Sequence, residues 1–79
     1  MTINLKTIGK MVKEIRKLRR MTQAQLAELT EMSDVFISRI ETGDRMASLT
    51  SLIKIAVALD ATLDELVRLN EVVDVEDDH

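Results

Sequence analysis

The side chains of this sequence that could do chemistry are cations and carboxylates, and they are segregated along the chain. Residues 1–20 carry seven cations, Lys6, Lys10, Lys13, Arg16, Lys17, Arg19 and Arg20, against Glu14 alone, a local charge of +6. Residues 71–79 (EVVDVEDDH) carry five carboxylates and stand at −5. Between them, residues 21–70 hold four cations against eight carboxylates, and the whole chain is at −3. The basic run reads as a solvated face or as a surface for an anionic partner, and the acidic end reads as a solubilising tail. The net −3 therefore says little about any binding face.

Acid–base and metal chemistry find little to work with. The single histidine is His79, there is no cysteine, and no Gly-rich phosphate loop or His/Asp/Glu cluster at metal spacing occurs. Asp64/Glu65 and Asp77/Asp78 are adjacent carboxylates, but sequence neighbours on a helix diverge. The expectation is a protein that is not an enzyme and needs no cofactor.

The elements that position these groups must be helical. Seventy-nine residues make one small domain, 46% hydrophobic, with one aromatic (Phe36), two glycines and no proline. Strands want aromatics and turns want Gly and Pro, whereas Leu, Ile, Ala, Met, Lys and Glu favour helices. No apolar run approaches the roughly 20 residues of a membrane span, and no signal-peptide core opens the chain, so no membrane partner and a cytoplasmic location are expected.

Five short helices account for nearly everything. Ile8, Met11, Val12, Ile15 and Leu18 recur at helical spacing, with Lys6, Lys10, Lys13, Arg16, Lys17 and Arg20 in the opposite sector. Thr22 and Gln25 make a capping box for a second helix from Gln23 to about Leu29, burying Leu26, Ala27 and Thr30 or Leu29. Ser33 caps a third, with Ile37 and Ile40 inward and Gly43 just past its end. Ser48 caps a fourth, whose apolar face is Leu49, Leu52, Ile53, Ala56, Val57 and Leu59. Thr62 and Glu65 form a second capping box for a fifth, packing Leu63, Leu66, Val67 and Leu69.

Helices 2 and 3 are separated by only about three residues, 30–32, too few for them to pack antiparallel, so a crossing near 90–120° is expected. Ala27 is small enough to allow close approach, and Leu26, Met32, Ile37 and Ile40 fill the corner. The outer face of helix 3, Asp34, Val35, Ser38 and Arg39, is left free of core duties.

From Ile8 to about Leu66 the chain resembles the Cro/CI-type (Xre-type) helix-turn-helix family of phage and bacterial repressors, with a lambda-repressor-like DNA-binding domain. The resemblance rests on Thr22-Gln23 opening helix 2, Leu26-Ala27 within it, Ser33 at the start of helix 3, Ile37-Ser38 in its middle and Glu41-Thr42-Gly43 at its end. It implies an all-α, five-helix domain over residues 1–70, a motif at about 23–42 and an acidic tail at 71–79. It further implies sequence-specific binding of double-stranded DNA, with helix 3 in the major groove and helix 2 across the backbone.

On that resemblance, Thr22 and Gln23 stand where a helix start grips a phosphate, and Ser33 is a cap, a phosphate ligand or both. Arg39 can donate a fork to guanine O6 and N7, or pair with a phosphate or with Glu41. Asp34 can accept from cytosine N4, Val35 can touch a thymine methyl, and Ser38 shares their face. Arg45 matches a backbone-contacting loop position. Glu41 is expected to be structural, with Arg16 as its partner.

The sequence departs from the family pattern in places. Glu31 stands where Gly usually does, so a left-handed backbone there costs roughly 1 kcal/mol. Phe36 replaces a small polar or Tyr residue and reads as packing, and Ala47 replaces a frequent Pro, which should loosen the loop before helix 4.

Half-sites are usually read by symmetric dimers, so a homodimeric repressor is expected. Leu63, Leu66, Val67, Leu69, Val72, Val73 and Val75 make the C-terminal third the expected interface. The alternative is an interaction module whose main partner is a protein, for instance an antitoxin holding a toxin; the acidic tail and Asp34 favour that view.

Overall fold

The structure is a computed structural model and describes residues 4–67. These form α1 (Leu5–Leu18), α2 (Gln23–Thr30), α3 (Asp34–Thr42), α4 (Leu49–Leu59) and α5 (Leu63–Val67), with no strand among the described residues. None of these helices is long and apolar enough to cross a membrane.

Each start has a local cause. Asn4 Oδ1 accepts from the backbone N–H groups of Lys6 and Thr7, which begins α1 at Leu5, earlier than the apolar periodicity from Ile8 indicates. Thr22 and Gln25 complete the expected capping box, Oγ1 accepting from Gln25 N–H at 3.0 Å and Gln25 Oε1 from Thr22 N–H at 2.8 Å. Ser33 and Ser48 cap α3 and α4 by accepting from Phe36 N–H and Ser51 N–H. Thr62 and Glu65 form the reciprocal pair at α5. The ends are left-handed: Glu31, Gly43 and Asp60 have φ of 60°, 84° and 53°. Gly43 meets its position without strain, whereas Glu31 bears the expected cost of a side chain there.

The core gathers one stripe from every helix: Ile8, Val12 and Ile15; Leu26 and Ala27; Ile37 and Ile40; Leu52, Ile55, Ala56 and Leu59; Leu66 and Val67. α1 packs on α3, α4 and α5, and α2 on α3 and α4. The α1–α3 contact is close because Gly9 has no side chain. A Cβ there would lie 2.2 Å from the carbonyl oxygen of Ile40 and 2.7 Å from that of Glu41.

Several expected inward residues face outward. Leu18 is 74% exposed and Leu29 61%, so Thr30, whose hydroxyl donates to the Leu26 carbonyl, is the residue that closes α2. On α4 the buried stripe is narrower than expected and includes Ile55 in place of Leu49, Ile53 and Val57. A helix touching neighbours on one side buries about 100° of its surface, and the row 49, 53, 57 falls outside that sector. Ala47, expected to loosen its loop, is buried in the core.

Two of the residues expected at a subunit interface are already occupied within the protomer. Leu66 and Val67 are buried inside the protomer, because the five-residue α5 spends its apolar side chains closing the core against α1 and α4. Leu63 is half-buried against the same core. Leu69, Val72, Val73 and Val75 lie outside the described residues.

Candidate nucleic-acid interface

The geometry of the site begins in the interior. Arg16, counted with the cationic face of helix 1, is buried instead, because Glu41 of α3 lies against it. Its Nε donates to Glu41 Oε2 at 2.6 Å and its Nη2 to Glu41 Oε1 at 3.1 Å, the partner expected for Glu41. A third donor, Nη1, reaches the Met21 carbonyl at 2.7 Å and fixes the α1–α2 turn. Glu41 Oε1 also accepts from Gln23 Nε2 at 2.9 Å. One buried carboxylate therefore ties α1, the start of α2 and the end of α3 together.

This tie sets the side chain of Gln23 at the first turn of α2, half-buried, with one amide N–H engaged and a second still to spare. Across from it α3 presents its outer row. Gln23, Asp34, Val35, Ser38 and Arg39 line one shallow cleft. An adjoining cleft is lined by Thr22, Gln23 and Asp34 together with Lys17 and Arg20. Asp34 and Arg39 are exposed, and Val35 is 60% exposed. With Glu41 taken by Arg16 and Gln23, the Arg39 guanidinium has no hydrogen bond or ion pair among the described residues.

Six of the expected positions, Thr22, Gln23, Asp34, Val35, Ser38 and Arg39, thus share one surface. Two sit differently. The Ser33 hydroxyl accepts from the Phe36 N–H as the α3 cap. Arg45 lies over the Phe36 ring, 5.5 Å from guanidinium carbon to ring centroid, within cation–π range. Phe36, read as a packing residue, does pack against the core, and it is also a platform for Arg45. Lys17 and Arg20 line the same surface, although the helix-turn-helix motif does not mark them. Their signal was the basic run continuing to Thr22, with Arg20 in a left-handed conformation (φ 57°) as the chain turns. Arg19, in the same run, serves the fold: its guanidinium donates to the carbonyls of Leu59 and Asp60 and caps α4.

The chemistry this surface can perform is recognition. Cations flank a helix whose outer row mixes an acceptor, a methyl-bearing side chain, a hydroxyl and a guanidinium. Among the described residues no group of His, Cys, Asp or Glu side chains could hold a metal ion.

Comparison with known proteins agrees with the motif. The sequence family described as helix-turn-helix, HTH_3, matches residues 12–66, which spans α2 and α3 and most of the core. The chain belongs to the HTH_3 family. As a member of HTH_3, the Xre/Cro-CI type, it is a DNA-binding helix-turn-helix regulator and not an enzyme. It is similar to the restriction-modification controller protein C.AhdI from Aeromonas hydrophila, with 32% identity over 78% of this chain and 94% of that one, at a TM-score of 0.76. It also resembles the wild-type restriction-modification controller protein C.Esp1396I, at 26% identity over 92% and 99% of the two chains and a TM-score of 0.77. An HTH_3 family transcriptional regulator from Vibrio cholerae is similar at 26% identity and a TM-score of 0.78, over 89% of this chain and 39% of that one. A comparison with curated protein sequences gives no match.

Proposed function

We propose that this HTH_3 regulator is a dimeric transcriptional repressor that works in the cytoplasm and reads duplex DNA in the major groove through α3. In this reading residues 1–70 are the DNA-binding domain and 71–79 an acidic tail. The observation that carries it is the guanidinium of Arg39, unpaired among the described residues, in the same cleft as Asp34, Val35, Ser38 and the tethered Gln23. Arg39 donates its fork to guanine O6 and N7, Asp34 accepts from cytosine N4 and Val35 meets a thymine methyl. Thr22 and Gln23 sit on a phosphate at the α2 N-terminus, where the helix dipole favours anions. Lys17, Arg20 and Arg45 supply charge along the backbone, and Ser33 positions the start of α3.

Selection from a random duplex library tests this. Enrichment of a two-fold symmetric motif whose half-sites lie about one helical turn apart is the expected result. Failure to enrich any motif would overturn it in favour of a protein partner.

A further inference from the structure

Phe36 is the single aromatic residue of the chain, and the Arg45 guanidinium lies 5.5 Å from the centre of its ring. The backbone after α3 brings the two together. Gly43, at φ 84°, turns the chain out of the helix. The backbone N–H groups of Asp44 and Arg45 then both donate to the Arg39 carbonyl, at 2.9 and 3.2 Å. Residue 45 is thereby folded back along the end of α3, where its side chain reaches Phe36. The ring is half-buried and packed against the core, so it is a fixed support.

The contact restrains Arg45 without using it up. A ring engages the charge of a guanidinium and consumes none of its five N–H donors. Arg45 is exposed, and its guanidinium has no hydrogen bond or ion pair among the described residues. An unsupported arginine at such a position samples many rotamers, and a phosphate has to select the right one. A cation–π contact at an exposed site raises the population of the held conformer about two- to fivefold, and apparent affinity scales with that population.

We propose that Phe36 is a positioning residue for DNA binding, whose ring holds the Arg45 guanidinium ready for a backbone phosphate. It acts through Arg45 alone, so its effect is the same on every duplex. The inference rests on Arg45 as a backbone contact and deepens that reading.

A double-variant cycle tests it. The Kd for the selected duplex and for a scrambled one is measured for the wild type, Phe36→Leu, Arg45→Ala and the combined variant, with circular dichroism to check folding. Phe36→Leu is expected to weaken binding to both duplexes about two- to fivefold, and to change nothing once Arg45 is alanine. Ring-current shifts of the Arg45 side-chain protons in the unbound protein are expected in the wild type and absent in Phe36→Leu. Phe36→Met, which fills the space flexibly, replaces Phe36→Leu if that variant loses its fold. A wild type that binds neither duplex overturns the DNA reading and this inference with it. An Arg45→Ala variant that binds as tightly as the wild type removes Arg45 from the interface, and Phe36 with it. An equal loss in both backgrounds, a loss confined to the selected duplex, or Arg45 protons without a ring-current shift overturns the positioning role alone.

Discussion

Arg16 of α1 and Glu41 of α3, 25 positions apart, form a buried two-pronged ion pair, and the same carboxylate accepts from Gln23 at the start of α2. A buried pair of this kind contributes little net stability relative to apolar residues, but removing one partner strands the other charge. Glu41→Ala is therefore expected to destabilise the fold by about 3–5 kcal/mol. A paired Arg16→Met, Glu41→Leu variant should recover much of that loss. Urea midpoints of the three proteins check this; a single variant as stable as the double would contradict it.

The same pair has a functional consequence through Gln23. If Gln23 grips a phosphate as proposed, Gln23→Ala should weaken binding to every duplex alike, leaving the ratio between sequences unchanged. Titration against the selected duplex and a scrambled one measures this, and loss confined to the selected duplex would assign Gln23 to base reading.

Lys17 and Arg20 carry charge at the mouth of the cleft. Each phosphate contact contributes about 0.9 to the slope of log affinity against log salt. Arg20→Ala should reduce that slope by about 0.9, read from binding at several salt concentrations; an identical slope would remove Arg20 from the interface.

At α5, the Thr62 backbone N–H donates to the Glu65 carboxylate, the Thr62 hydroxyl adds a second bond and Arg19 a favourable charge, which together outweigh slight desolvation and hold the pKa below its ordinary value of 4.5. A depressed pKa in the folded state contributes stability above the unfolded value and loses it as pH falls through the folded one. Glu65→Gln keeps the bonding pattern, as Gln25 does at α2, without the titration. The wild type should lose its advantage over Glu65→Gln below about pH 4.5; denaturation between pH 3 and 7 checks this, and a constant difference would contradict it.

Gly9→Ala should destabilise the fold despite the better helix propensity of Ala, worth about 1 kcal/mol. The new Cβ meets backbone oxygens of α3, which cannot rotate away as a side chain could. Thermal unfolding should show a lowered Tm; an unchanged Tm would mean that α1 and α3 separate freely.

Much of this fold was legible because its starts are local: the caps at Thr22, Ser33, Ser48 and Thr62 are decided within three residues of chain. The Arg16–Glu41 pairing was legible through the family pattern, since the spacing of a lone carboxylate at the end of helix 3 would not by itself reveal a partner on helix 1. Burial on α4 was not. Leu49, Ile53 and Val57 are as apolar as Leu52 and Ile55, and only the placement of α1, α2 and α5 decides which row is covered. Gly9 was silent for the same reason: a glycine within a helical pattern reports nothing until the helix that crosses it is known. At the cleft, the outer row of α3 was readable from what the core did not claim. Phe36 as a rest for Arg45 depends on how the loop after Gly43 returns, and no periodicity encodes that.

The central claim, that α3 reads bases through Arg39, is tested most directly by one ratio: the Kd for the selected duplex against the Kd for a scrambled duplex at fixed salt, in the wild type and in Arg39→Ala. A bidentate guanine contact is worth about 1–3 kcal/mol of discrimination, so the ratio should shrink roughly 5- to 150-fold. A ratio that Arg39→Ala leaves unchanged would contradict the claim.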